Sequence, residues 1–189
     1  NPESKGHGVM VVMNDQILGA HSVTKTNTTS VQTFMAPGHG QMGAVIYGKL
    51  EFYRTPHGIH TTDSEFSVDG VTQLPRVDII YACADCSADL IDLSVKAGAK
   101  GIVIAGVGNG NMTAEMLEAS KKAAEKGVVV VRSTRVPTGY VLRNAEINDD
   151  DNHTIASDEL NAQKSRVLLM LALLKQRDNA NIQELFFNY

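Results

Sequence analysis

Between residues 76 and 156 the chain repeats one rhythm: a short run of β-branched apolar residues, a turn, a helix-forming stretch, then another apolar run. Residues 77–81, 102–105 and 128–131 are the apolar runs, and 154–156 a shorter fourth. Runs this brief, with little polar alternation, belong to strands covered on both faces. Residues 89–97 are predicted as a helix stopped by Gly98. Thr113 is placed to cap a helix reaching Lys126, with Glu115 in its first turn and Gly127 just past its end. Parallel strands need long crossovers, and helices supply them, so the pattern requires an α/β layer with a doubly wound parallel sheet. Two more helices follow. One spans about 161–175, with Val167, Leu168, Met170, Leu171 and Leu174 as its apolar face. The other is capped by Asp178 and buries Ile182, Leu185 and Phe186.

The first third reads differently. Residues 9–13 form an apolar run closed by Asn14-Asp15 and are predicted as a buried strand. Residues 23–34 are rich in Thr and Val and suit a half-buried strand pair. Residues 43–47 and 50–53 suit a hairpin around Gly48-Lys49. Residues 54–75 carry Pro56, Gly58 and Pro75 and read as a linker. The expected division is therefore a strand-rich segment over 1–53, a linker over 54–75 and an α/β domain over 76–189.

Composition removes several classes of function. Seventeen basic and 21 acidic residues leave a net charge of -4, whereas a protein that grips nucleic-acid phosphates is usually basic. No apolar run approaches the roughly 18 to 20 residues that span a bilayer. Two cysteines do not make a disulfide scaffold. The chain opens Asn1-Pro2-Glu3 with neither Met nor an apolar signal segment, and is read as a trimmed or partial polypeptide. It does not open on Thr, Ser or Cys, as the nucleophile-bearing half of a self-cleaving amidase would.

Five features bear on chemistry. Gly106-Val107-Gly108-Asn109-Gly110-Asn111 lies between a strand and a helix, where α/β sheets bind ligands. It is not a dinucleotide fingerprint: position 111 is Asn, and Arg132 stands where an acidic residue would end the third strand. A tight structural turn and a polar ligand site both remain open. Cys83-Ala84-Asp85-Cys86 lacks a thioredoxin-like context and a second ligand pair, so it reads as two loop cysteines, free or locally bonded. Asp149-Asp150-Asp151-Asn152 lacks the spacing of a calcium loop and reads as solvated acid. The six histidines are scattered, and His57 and His60 at i,i+3 do not make a metal site. Lys25 stands alone in Val23-Thr24-Lys25-Thr26-Asn27-Thr28-Thr29. It is either a solvated edge-strand lysine or a partly buried base drawing a proton from a neighbouring hydroxyl.

Taken in order, residues 11–15, 23–29, 106–111, 132–139 and 160–169 resemble the bacterial type II L-asparaginases, glutaminase-asparaginases included. The resemblance covers residues 8–189. It implies a C-terminal flavodoxin-like domain, preceded by the strand-rich end of a larger α/β N-terminal domain. It implies a threonine nucleophile that attacks a side-chain amide, releases ammonia and is freed by water. The family's Thr-Gly-Gly-Thr-Ile and His-Gly-Thr-Asp-Thr motifs do not occur in these residues, so the chain alone is expected to be inactive. Lys25 matches the family's lysine, which assists the nucleophile. Asn111 and Glu146 match residues that the family lends to a neighbouring subunit's site, where a carboxylate can hold a substrate α-ammonium. On pattern alone Glu146 is an exposed residue of an acidic loop.

The same resemblance implies L-asparagine, or also L-glutamine, as substrate, and no cofactor or metal. It implies a homotetramer built of intimate dimers, a periplasmic location, and neither nucleic acid nor membrane as partner. A non-catalytic amino-acid-binding or assembly module is the alternative, with a flavodoxin-like nucleotide binder further off.

Overall fold

The computed structural model describes residues 1–189, which divide into two compact units: 1–65 with Tyr189, and 66–188.

The first unit holds an antiparallel sheet and a small strand pair. The sheet has β1 (Met10–Met13), β2 (Gln16–Gly19), β5 (Gly43–Ile46) and β6 (Lys49–Phe52) in that order; β3 (Thr24–Lys25) pairs with β4 (Phe34–Met35). Residues 9–13 were expected to be buried, but Val9 and Val12 stand exposed. β1 is an edge strand, and the buried side chains are those of β2, Ile17 and Leu18. The hairpin turn falls on Tyr47-Gly48 rather than Gly48-Lys49, because Ile46 pairs with Lys49. Both turn residues have positive φ, 48° and 78°, as the two-residue turn matching strand twist demands. Residues 54–75 contain only a short 3-10 turn, Thr61–Asp63.

The second unit is a four-stranded parallel sheet: β7 (Val77–Tyr81), β8 (Gly101–Gly106), β9 (Val129–Thr134) and β10 (Thr154–Ala156). α1 (Asp89–Lys96) and α2 (Ala114–Glu125) supply the first two crossovers; α3 (Asp149–Asn152) precedes β10; α4 (Ala162–Ala172) and α5 (Asn179–Asn188) follow it. The helix signals act as read. The Thr113 hydroxyl accepts from the Met116 amide at 3.2 Å, and the Asp178 carboxylate from the Asn181 amide at 2.7 Å. Gly98 and Gly127 lie in the left-handed region just past their helices, with φ of 86° and 84°.

Strand order is the correction. The strands lie in chain order, so nothing reverses and the sheet is not doubly wound. Crossovers of one hand between successive neighbours put α1 and α2 on the same face. There Ile91, Met116, Ala119 and Ala123 meet Ile80, Ile102, Ile104 and Val130. The other face is covered by the returning helix α4. A Cβ added to Gly101 would lie 2.6 Å from Leu169 Cδ2, so that helix seats directly on the central strand. The buried residues of α4 are Ala162, Ser165, Leu168, Leu169, Met170 and Ala172; of the expected apolar face Leu168 and Met170 are buried, while Val167 is exposed. Its inward stripe includes a serine and an alanine, which hydropathy alone does not mark.

Candidate functional site

Two loops at the carboxyl ends of β8 and β9 carry the site. The first is the glycine-rich turn. Val107 and Asn111 exchange both backbone hydrogen bonds at 2.8 Å, closing it tightly. Gly106 has no room for a side chain: a Cβ would lie 2.5 Å from the Gly110 carbonyl carbon and 2.8 Å from the Asn111 oxygen. Because these neighbours are backbone, Gly106→Ala is expected to displace the turn and destabilise the fold by about 1–3 kcal/mol, read by urea denaturation. Thr134 secures the turn from below, its hydroxyl donating to the Gly108 carbonyl at 2.7 Å. The turn thus presents two amide side chains. Asn109 is used internally, its Oδ1 accepting from the Leu142 amide at 2.7 Å. Asn111 is half-buried, and its side chain reaches the second loop.

The second loop runs from the end of β9 to α3. Asn144 holds φ of 52°, and its Oδ1 accepts from the amides of Asp149, at 2.8 Å, and Asp150, at 3.2 Å. This bends the loop back over the start of α3, with Glu146 exposed on the bend. Asn111 Nδ2 donates to Glu146 Oε2. Two residues 35 positions apart are thereby brought into one hydrogen-bonded pair. One carboxylate oxygen of Glu146 engages Asn111, and a carboxylate has acceptor capacity left for a cationic ligand.

Beneath both loops lies an ion pair that the sequence reading did not find. Arg132 and Asp149 are each 0% exposed. Arg132 donates to both Asp149 oxygens, from Nε at 2.6 Å and from Nη2 at 2.7 Å. The expectation of a solvated acidic stretch over 149–152 therefore fails at Asp149, which the buried guanidinium draws inward. Burial by itself pushes the Asp149 carboxyl up. Hydrogen bonds from Arg132, Thr154 and the Asn144 amide, with the Arg132 charge, outweigh burial and hold it below its ordinary value. A signal was present: one Arg inside a buried parallel strand demands a buried acceptor.

Lys25 lies in the first unit, on β3 opposite Phe34. It is exposed, as in the first of its two readings. It borders a shallow hollow of about 380 Å³ with Thr26, Asn27 and Thr28. The hydroxyls and amides around it close their own loop. Asn27 Oδ1 accepts from the Thr29 and Ser30 amides at 2.9 and 2.8 Å, and the Thr26 amide donates to the Thr33 carbonyl at 2.8 Å.

Cys83 and Cys86 form a disulfide, the locally bonded form of the two open readings. No group of three or more His, Cys, Asp or Glu side chains is arranged to hold a metal ion, and no helix is long and apolar enough to cross a membrane.

Residues 76–186 match the family model described as Glutaminase/Asparaginase C-terminal domain, and residues 1–58 match that of Asparaginase, N-terminal. The chain is 46% identical to the "Probable L-asparaginase periplasmic" of Haemophilus influenzae over 99% of its own length and 54% of the relative's. It is 45% identical to "L-asparaginase 2" of Escherichia coli, over 98% of the chain and 53% of the relative. With the "Glutaminase-asparaginase" of Pseudomonas fluorescens the identity is 37%, over 99% and 52%. The chain spans about half the length of these curated relatives.

Proposed function

The chain belongs to the glutaminase/asparaginase family, and on that premise we propose that it is part of an amidohydrolase converting L-asparagine, or also L-glutamine, to the acid and ammonia. The observation that carries this reading is the pairing of Asn111 with Glu146 at the carboxyl edge of the sheet. An amino-acid substrate carries an α-ammonium, and a carboxylate oriented by a neighbouring amide is a charge-assisted acceptor for it.

In this mechanism a threonine hydroxyl, supplied from outside these 189 residues, attacks the side-chain amide carbonyl. Its proton passes toward a base as the C–O bond forms, and ammonia leaves with a proton as the C–N bond breaks. Water then attacks the acyl-enzyme ester, releasing the carboxylic acid and restoring the hydroxyl. Lys25 takes the role of base and of cation beside the developing alkoxide. Asn111 and Glu146 bind substrate in a neighbouring subunit's site, within a tetramer built of intimate dimers and located in the periplasm. A relative's printed name, "Probable L-asparaginase periplasmic", supports the location.

Ammonia release from L-asparagine and L-glutamine by the full-length enzyme is the first test; no release from either overturns the activity. The sharing of sites is tested by coexpressing Lys25→Met and Glu146→Ala chains with separate tags. Each homo-oligomer should be poorly active. A symmetric mixed dimer collects both lesions in one site and leaves the other intact, so roughly half the activity of the unsubstituted enzyme should return. A mixed species that forms but stays at the level of its parents overturns the shared-site assignment.

A further inference from the structure

The Arg132–Asp149 pair is buried, charged and uses every group it has, yet touches nothing that reacts. A guanidinium carries five N–H donors. Nε and one Nη2 donor engage Asp149 at 2.6 and 2.7 Å. The remaining acceptors are backbone carbonyls: Asn109 at 3.0 Å and Gly110 at 3.5 Å from Nη1, and Leu142 at 3.1 Å from Nη2. Asp149 accepts in turn from the Asn144 amide at 2.9 Å and the Thr154 hydroxyl at 2.6 Å. Asn109 and Gly110 immediately precede Asn111. Leu142 and Asn144 lie just before Glu146. One ion pair therefore holds the backbone on both sides of the Asn111–Glu146 contact.

Stability alone is a poor reason for such a pair. Two well-packed apolar side chains of similar volume often do as well or better, because they avoid desolvating two charges. They would not anchor four backbone groups from two loops. The pair also adds no net charge beneath the site. An unpartnered guanidinium there would compete for Glu146 with the substrate's ammonium.

We propose that Arg132 and Asp149 are positioning residues that fix the separation of Asn111 and Glu146 and so set affinity for the substrate's α-ammonium. This rests on the reading of Glu146 as a substrate-binding carboxylate.

The test uses the full-length enzyme with Arg132→Lys, Glu146→Ala and the double variant, each confirmed as folded and correctly assembled. Lysine keeps the charge toward Asp149 and loses the planar fork. Arg132→Lys should raise KM for L-asparagine about tenfold to a hundredfold, the range that a charge-assisted hydrogen bond contributes, and leave kcat within about threefold, because what is lost is binding common to ground and transition states. In the Glu146→Ala background the same change should add less than about twofold, because the contact it tunes is already gone. An unchanged KM in folded Arg132→Lys overturns the proposal, as does a full, additive effect in the double variant. A silent Glu146→Ala overturns instead the binding role of Glu146. If Arg132→Lys does not fold, Asp149→Asn carries the same test. Failure of both to fold overturns positioning in favour of a purely structural role.

Discussion

Asp149→Ala is expected to destabilise the second unit by about 3–5 kcal/mol, because it leaves the Arg132 charge buried without its partner. Domains of this kind are stable by only about 5–15 kcal/mol, so the loss approaches unfolding. The adjacent Asp150 is the control. It pairs with Arg143, but its side chain is 64% exposed, so Asp150→Ala should change stability by about 1 kcal/mol at most. Urea denaturation of both variants gives the comparison through the midpoint at constant slope. An Asp149 variant no weaker than the Asp150 variant would show that the guanidinium finds water or another acceptor. The sign of the pH dependence follows from the same contacts. The folded carboxyl titrates below its unfolded value. Its contribution is present in full above the unfolded value of about 3.9. It is lost as pH falls through the lower, folded value. Asp149→Ala should lack that part of the acid limb.

The second large effect is kinetic. In the full-length enzyme Lys25→Met should lower kcat by about 10²- to 10⁴-fold, the range that general-base assistance contributes. KM should move little, because the lysine acts on charge that develops in the transition state. Steady-state kinetics on L-asparagine read both constants. A variant with near-normal turnover would reduce Lys25 to a solvated residue of β3. The pattern is the reverse of that expected for Arg132→Lys, where KM moves and kcat stays. The two variants thus separate the residue that meets the reaction from the one that holds the binding groups.

Much of the second unit was legible because its signals are local. β7 and β10 fall on the predicted residues, and Thr113 and Asp178 cap their helices through their own side chains as read. Asn161, read only as the approximate start of α4, is its cap as well: its Oδ1 accepts from the Lys164 amide at 3.0 Å, three residues on. What was not legible depends on partners distant in sequence. Strand order is set by crossover handedness and by where α4 returns, and no window of residues contains either. The inward stripe of α4 was legible at Leu168 and Met170 but not at Ser165 and Ala172, which face inward without being strongly apolar. Asp149 looked like one of three equivalent acids. Only the fold distinguishes it, by bringing Arg132 from 17 positions away. Asn111 and Glu146 were found through resemblance, since neither residue type nor spacing sets them apart from ordinary loop residues. Lys25 lies on a strand, as its run of Thr and Val implies, and is exposed, one of the two states its pattern left open.

The sequential order of the parallel strands bears on how this unit is assembled during synthesis. Each strand pairs with the one made just before it, so the sheet can grow by accretion from β7 without waiting for a distant segment. Loop closure for each new strand spans a single crossover, which keeps the entropic cost of parallel pairing low at every step. The order leaves one vulnerable interval. β9 brings Arg132 to the growing edge before Asp149 has been added, and for those 17 residues the guanidinium must keep its water. Closure of that part of the core therefore waits until α3 and β10 arrive together, ahead of α4 and α5. The edge of β9 and the anchor of both loops are then completed in one event.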